Sequence, residues 1–249
     1  AYQAFFNVFE KDRLPYIKKE CDLMNINFFD YKSVNIIDVG ANLGYQSLAY
    51  SHFLNVNKHF CFEPFSTNFY YLNKNLSSIS NLEVLNFGLG EKESTETISF
   101  PEWEKDDARL SNLGLMSIQD SSPSQGNPQS KISEKIQIKA FDDLNISFND
   151  DEIIFVKIDV EGFEYNVLLG MKDLIKNNRN IFFTIELNPR IGKDNLPQIK
   201  SILKLLSENE FNSYVEKDNQ IVEISDGNLM QLVESKSVDA FFGREHLTV

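Results

Sequence analysis

The chain has 249 residues, 24 basic and 37 acidic, and a formal charge of −13 at pH 7. That length holds one large α/β domain or two small ones, and 21 phenylalanines exclude a disordered chain. Self-repulsion of this size argues against nucleic acid or an anionic membrane surface as partner.

Residues 1–33 mix aromatic and charged positions ("FEKDRLPYIKKECDLM"), which predicts an N-terminal helical extension. A strand–helix rhythm then starts. "VNIIDVG" (34–40) reads as a strand, followed by a helix with Tyr45, Leu48, Ala49 and Phe53 on its apolar side. "KHFCFEP" (58–64) is the next strand, and Ser66 is placed to cap a helix carrying Phe69, Leu72 and Leu76. "LEVLNFGLG" (82–90) reads as a third strand.

Between 91 and 141 the rhythm breaks. "ETISF" and "KIQIKAF" predict a surface hairpin, and the polar, Pro/Gly/Ser-rich "SPSQGNPQSK" between them has the composition of a lid, with Ser111, Asn112 and Gly114 as candidate acceptor contacts. "EIIFVKIDVEG" (152–162) resumes the pattern, with a helix stripe at Phe163, Val167, Leu168, Met171, Leu174 and Ile175. "NIFFTIELN" (180–188) is a further strand, and a helix near 196–208 buries Ile199, Ile202, Leu203 and Leu206. "FNSYVEKDNQIVEIS" predicts two antiparallel strands to finish.

Cys61 lies in an apolar strand and reads as a core thiol; Cys21 is far from it, and His52, His59 and His246 are too scattered for a zinc site. No apolar run reaches membrane-spanning length and no secretory signal is visible, so the expected location is cytoplasmic, although the chain starts at Ala1 without a methionine.

Strands alternating with helices imply a parallel sheet, whose ligands bind beyond the carboxyl ends of its strands. Those ends carry Asp38–Gly44, Glu63–Pro64, Asn86–Gly90, Asp159–Gly162 and Glu186–Asn188. The first turn reads Gly-x-Asn-x-Gly (Gly40, Asn42, Gly44), a poor match to the dinucleotide fingerprint, and there is no phosphate loop. Glu63 stands where a carboxylate accepts ribose hydroxyls, and Asp38 suits a cationic ligand better than a pyrophosphate. S-adenosylmethionine fits this pattern better than a dinucleotide; a plain tight turn is the third reading.

"IDVGANLGYQS", "FEPFSTNFYYLNKNL", "NFGLGEKES", "SNLGLMS" and above all "VKIDVEGFEYNVLLGM" resemble the FkbM family of S-adenosylmethionine-dependent O-methyltransferases, over roughly residues 34–188. The resemblance implies a Rossmann-like class I methyltransferase: a seven-stranded, mainly parallel sheet with an antiparallel last strand and helices on both faces. It implies that Asp38, Gly40, Ala41, Asn42 and Gly44 line the methionine end of the cofactor, with Asp159 close by. Glu63 would hold the ribose, with Pro64 and Phe65 beside the adenine, and Phe87 and Gly88 at the third strand end would close over the base. The acceptor it implies is a hydroxyl on a sugar, glycan, glycolipid or related small molecule. A dinucleotide oxidoreductase and a noncatalytic binding module are the alternatives.

Methyl transfer to oxygen needs the hydroxyl aligned with the sulfonium methyl and its proton shared or removed. Asp159 is the first candidate for that role, with Glu161 and Glu186 near enough in expectation to form a carboxylate cluster. Such a cluster either raises one pKa or holds a divalent ion; no metal ligand set is assigned. Lys157, two residues from Asp159 on one strand face, is either a catalytic lysine or an ion-pair partner. Glu161 alternatively caps the next helix, and Glu164 reads as a solvated first-turn acid.

Overall fold

The computed structural model describes residues 17, 18, 21, 33–101, 131–149, 152–190, 195–218 and 220–244. In chain order these form β1 (Val34–Val39), α1 (Tyr45–Phe53), β2 (Val56–Phe62), α2 (Ser66–Asn75), β3 (Leu82–Leu85), β4 (Gly88–Leu89), β5 (Ser94–Pro101) and β6 (Lys131–Lys139). After a 3-10 turn (Phe141–Leu144) come β7 (Ile153–Ile158), α3 (Glu164–Leu169), α4 (Lys172–Asn177), β8 (Ile181–Leu187) and α5 (Asn195–Glu208). The described chain finishes with β9 (Asn212–Lys217), β10 (Gln220–Ile224), α6 (Asp226–Ser235) and β11 (Val238–Gly243).

The main sheet runs β10-β9-β11-β8-β7-β1-β2-β3. β1, β2, β3, β7 and β8 are mutually parallel, β11 runs antiparallel between β8 and β9, and β10 pairs antiparallel with β9. Among the described residues the main sheet has eight strands rather than the seven expected of a Rossmann-like class I fold: both strands predicted after residue 211 form, as β9 and β10, and β11 is the addition. The α6–β11 pair was not anticipated at all. β11 does supply the expected antiparallel strand, but from within the sheet.

β1 and β7 are buried along their whole length, and period-2 alternation explains how. Ile37, Val156 and Ile158 face a core with the α3, α4, α5 and α6 side chains, while Ile36 and Phe155 face the opposite core with Ala49 and Tyr50 of α1. Ile17 and Cys21, helical residues of the N-terminal region, pack into that second core. Most of the predicted extension lies outside the described residues, as do Ser111, Asn112 and Gly114.

Two predicted elements are divided. The third strand stops at Leu85, where Asn86 turns away and donates to the carbonyls of Glu63 and Pro64; Gly88–Leu89 then joins a separate sheet of order β4-β6-β5. The helix after β7 splits at Gly170, where the Gly90 carbonyl approaches so closely that a Cβ would lie 1.9 Å from it. Asp142 restarts the helix by accepting from the backbone N–H groups of Asp173 and Leu174. β5 and β6 pair antiparallel, with Thr95 opposite Gln137, and Ile98, Ile136 and Ile138 cover Phe65 and Phe163. Ser66 does not cap α2; it donates to Glu134 of β6, which also accepts the Ser66 backbone N–H. Among the described residues no helix is long and apolar enough to cross a membrane.

Candidate active site

The predicted ends of β1, β2, β7 and β8 lie on the same edge of the parallel strands, whereas Gly88–Leu89 has passed into the separate three-stranded sheet. β1 passes into the first turn, where Gly40 (φ 81°), Asn42 (φ 51°) and Gly44 (φ 87°) all take left-handed backbone. Protein packing accounts for both glycines. A Cβ on Gly40 would lie 2.0 Å from the Asp159 carbonyl, and one on Gly44 would lie 2.8 Å from Leu72. Ala41 points its methyl into the Cys61, Leu72 and Leu76 cluster, so only its backbone borders the edge. The turn is tied to the second strand end, since Asn42 N–H donates to Glu63 Oε2 at 2.9 Å.

Glu63 is buried and its other oxygen accepts Phe65 N–H at 3.0 Å. Burial, only partly offset by these bonds, raises its pKa from 4.5 to about 7. Phe65, expected beside the adenine, is instead 4% exposed and packs under the β5–β6 hairpin. Pro64 is half-buried against the Gly88 backbone, and Phe87 lies between Phe62, its ring tilted 60° to it, and the Lys139 ammonium, 4.6 Å from its ring centre.

At the ends of β7 and β8, Asp159, Glu161 and Glu186 offer carboxylate oxygens all within 4.8 Å of one another. Glu161 sits in left-handed backbone (φ 54°), followed by Gly162 (φ 96°), a conformation costing about 1–2 kcal/mol for a residue with a side chain. Glu164 holds that turn. It is buried rather than solvated, and it accepts from Gly162 N–H at 2.9 Å and Val160 N–H at 3.3 Å. Glu161 is thereby free to face the other acids. Burial and the neighbouring carboxylates raise Glu161 to about 8 and Glu186 to about 8, while Ser237 donates to Glu186 at 2.9 Å. Lys157 is buried between two acids, 3.2 Å from Asp159 and 3.7 Å from Asp38, as an ion-pair partner would be.

These shifts have a stability consequence. Glu63, Glu161, Glu164 and Glu186 all keep protons in the folded chain above 4.5, where the unfolded chain has lost them. The folded state then binds more protons, so stability falls as pH rises through the window up to about pH 8. We expect the melting temperature to drop between about pH 5 and about pH 8.5. A melting temperature that climbs across this range would mean these carboxyls ionise normally.

The FkbM methyltransferase domain model matches residues 38–213, well over half of the chain. The chain belongs to the FkbM methyltransferase family. FkbM membership makes it an S-adenosylmethionine-dependent methyltransferase. Comparison with the curated proteins gives no match. Among solved structures, the plantazolicin methyltransferase BpumL, in complex with an analogue and SAH, is 11% identical over 96% of this chain and 88% of that one, with a TM-score of 0.46. Precorrin-6y C5,15-methyltransferase from Geobacter metallireducens GS-15 is 9% identical over 90% and 84%, with a TM-score of 0.42. M. jannaschii TYW2, in complex with AdoMet, is 11% identical over 90% and 75%, with a TM-score of 0.38.

The FkbM cofactor is a cationic sulfonium nucleoside, and the residues at this edge fit it. Asp38 Oδ1, Asn42 Oδ1 and Asn68 Oδ1 are buried acceptors without a hydrogen-bond partner among the described residues. An acceptor-rich surface beside Glu63 suits ammonium, sulfonium and ribose hydroxyl hydrogens and repels a pyrophosphate. Two site-linked residues escaped the sequence reading: Ser47 and His59, which contact each other and lie against Asp38. A buried serine on an apolar helix face was the available signal.

Proposed function

We propose that this FkbM protein moves a methyl group from S-adenosylmethionine to a hydroxyl of a sugar, glycan, glycolipid or related small molecule. The observation that supports it most is the meeting of Asp159, Glu161 and Glu186 beside the first turn. When bound, S-adenosylmethionine supplies an electrophilic methyl on sulfur. Asp38, Gly40, Ala41, Asn42 and Gly44 would line its methionine end. Glu63 would accept the ribose hydroxyls, and Pro64, Phe87 and Gly88 would flank the base.

The chain's own task is then to orient an oxygen nucleophile and take its proton. Glu161 and Glu186, at about 8, are stronger proton acceptors than ordinary carboxylates once ionised. Asp159, fixed by Lys157 and half-exposed, is the group we assign to orienting the acceptor hydroxyl. The Lys157 charge balances Asp38 and Asp159 and plays no part in proton transfer. A divalent ion at the three carboxylates is a second way to activate a hydroxyl. The strong net negative charge favours a neutral acceptor over nucleic acid.

The test is a screen of monosaccharides, oligosaccharides, glycolipids and RNA oligomers with S-adenosylmethionine, with and without chelator, following S-adenosylhomocysteine release. We expect turnover on a hydroxylated, sugar-type acceptor, rising as pH passes about 8. Turnover confined to RNA would overturn the acceptor assignment.

A further inference from the structure

Beneath the first turn, side chains from three elements meet around Ser47 of α1. Its hydroxyl lies 2.5 Å from Asp38 Oδ2 on β1, and 3.0 Å and 3.1 Å from His59 Nε2 and Cys61 Sγ on β2. Ser51, further along α1, places its Oγ 3.1 Å from His59 Nδ1. Asp38, His59 and Cys61 come within 4.8 Å of one another, as ligands of a metal ion would, but the Ser47 hydroxyl already contacts all three. Nor is this a hydrolytic triad: Ser47 is fully buried, and its proton is turned to the aspartate instead of the histidine.

Counting protons orders the network. A serine hydroxyl has one hydrogen and two lone pairs. The Ser47 hydrogen goes to the Asp38 carboxylate, the strongest acceptor in reach. Ser47 Oγ then only accepts, so His59 Nε2 must carry a hydrogen. Burial keeps His59 neutral by lowering its pKa to about 3, which leaves Nδ1 bare to accept from the Ser51 hydroxyl. Each member therefore donates to the next, from Ser51 to His59 to Ser47 to Asp38.

We propose that Ser51, His59 and Ser47 are positioning residues that hold the Asp38 carboxylate ionised and oriented for the cofactor. The proposal rests on the reading that places Asp38 at the cofactor's methionine end. Asp38 needs this support, because burial disfavours its charge and Asp159 opposes it, while Oδ1 lacks a hydrogen bond among the described residues. Lys157 from β7 is the attractive charge at 3.7 Å; His59 and Cys61 from β2 and Glu63 at the neighbouring strand end are the other titratable groups around it. The opposite His59 tautomer would draw the Ser47 hydrogen to Nε2 and strip Asp38 of its shortest bond.

Nitrogen-15 NMR of histidine-labelled protein reads the tautomer directly, and only His52 and His246 share the spectrum with His59. We expect His59 to show the Nε2–H form alone, and Ser51→Ala to admit the Nδ1–H form. Ser51 is half-buried, so this change spares the core. Ser51→Ala should also bind S-adenosylhomocysteine about three- to tenfold more weakly, and Ser51→Thr should restore both properties. An Nδ1–H tautomer in the wild type overturns the proposal, as does a Ser51→Ala protein whose tautomer or affinity is unchanged. Asp38→Asn distinguishes the two levels. If it binds S-adenosylhomocysteine as tightly as the wild type, the cofactor reading itself falls; if it binds weakly while Ser51→Ala is silent, only the relay falls.

Discussion

Asp159→Asn is expected to cut turnover by about 10²-fold, the cost of a misplaced acceptor hydroxyl, while S-adenosylhomocysteine affinity moves by less than about threefold. The substitution is nearly isosteric, and the Asp159 backbone N–H keeps its bond to the Val39 carbonyl. What disappears is the charge 3.2 Å from Lys157 and the repulsion that Asp159 exerts on Glu161 and Glu186. Both glutamates should then ionise at lower pH, so the residual pH–rate profile should move in the acid direction. Steady-state kinetics with the acceptor found by screening, paired with calorimetric titration of S-adenosylhomocysteine, separate the terms. A variant with full turnover would remove Asp159 from the mechanism, and an equal loss of affinity and turnover would reassign it to cofactor binding.

Glu63→Gln should weaken S-adenosylhomocysteine binding by about 1–3 kcal/mol, the value of hydrogen bonds to a charged group. Glu63 accepts from Asn42 N–H with one oxygen and from Phe65 N–H with the other. A glutamine can satisfy one of these amides, but its own NH₂ then confronts the second. The first turn should loosen from the second strand end, so a modest drop in melting temperature accompanies the loss. A cleaner signature is pH. Wild-type affinity should rise as Glu63 ionises near its raised pKa of about 7, and that dependence should vanish in the variant. Unchanged affinity would show that the ribose is held elsewhere.

How much of this was legible in the sequence depends on how local each signal is. The β1, β2, β7 and β8 runs are rich in apolar residues, so their identity as strands of a parallel sheet followed from pattern, while their order in the sheet did not. The meeting of Asp159, Glu161 and Glu186 followed from the rule that ligands sit at strand ends, which needs no side-chain detail. The division of the 82–90 strand was not legible, because the cause is Asn86 bonding to carbonyls more than twenty residues away. Glu164 was misread for a similar reason: a first-turn acid looks solvated until the left-handed turn at Glu161 and Gly162 folds its amides back over it. Ser47 and His59 look like an ordinary helix residue and an ordinary strand residue. Only the parallel pairing of β1 with β2 brings Asp38 opposite Cys61, two residues past His59.

The position of β11 has a temporal consequence. It enters between β8 and β9, and it sets Asp239 opposite Glu186 while Ser237, just before it, holds the Glu186 carboxyl. On the ribosome, the β9–β10 ribbon is made before the strand that fastens it to the rest of the sheet. Until residues 237–243 emerge, β8 presents a bare edge and one member of the acidic trio lacks its hydroxyl partner. The acidic trio therefore reaches its full set of partners only once β11 lies against β8.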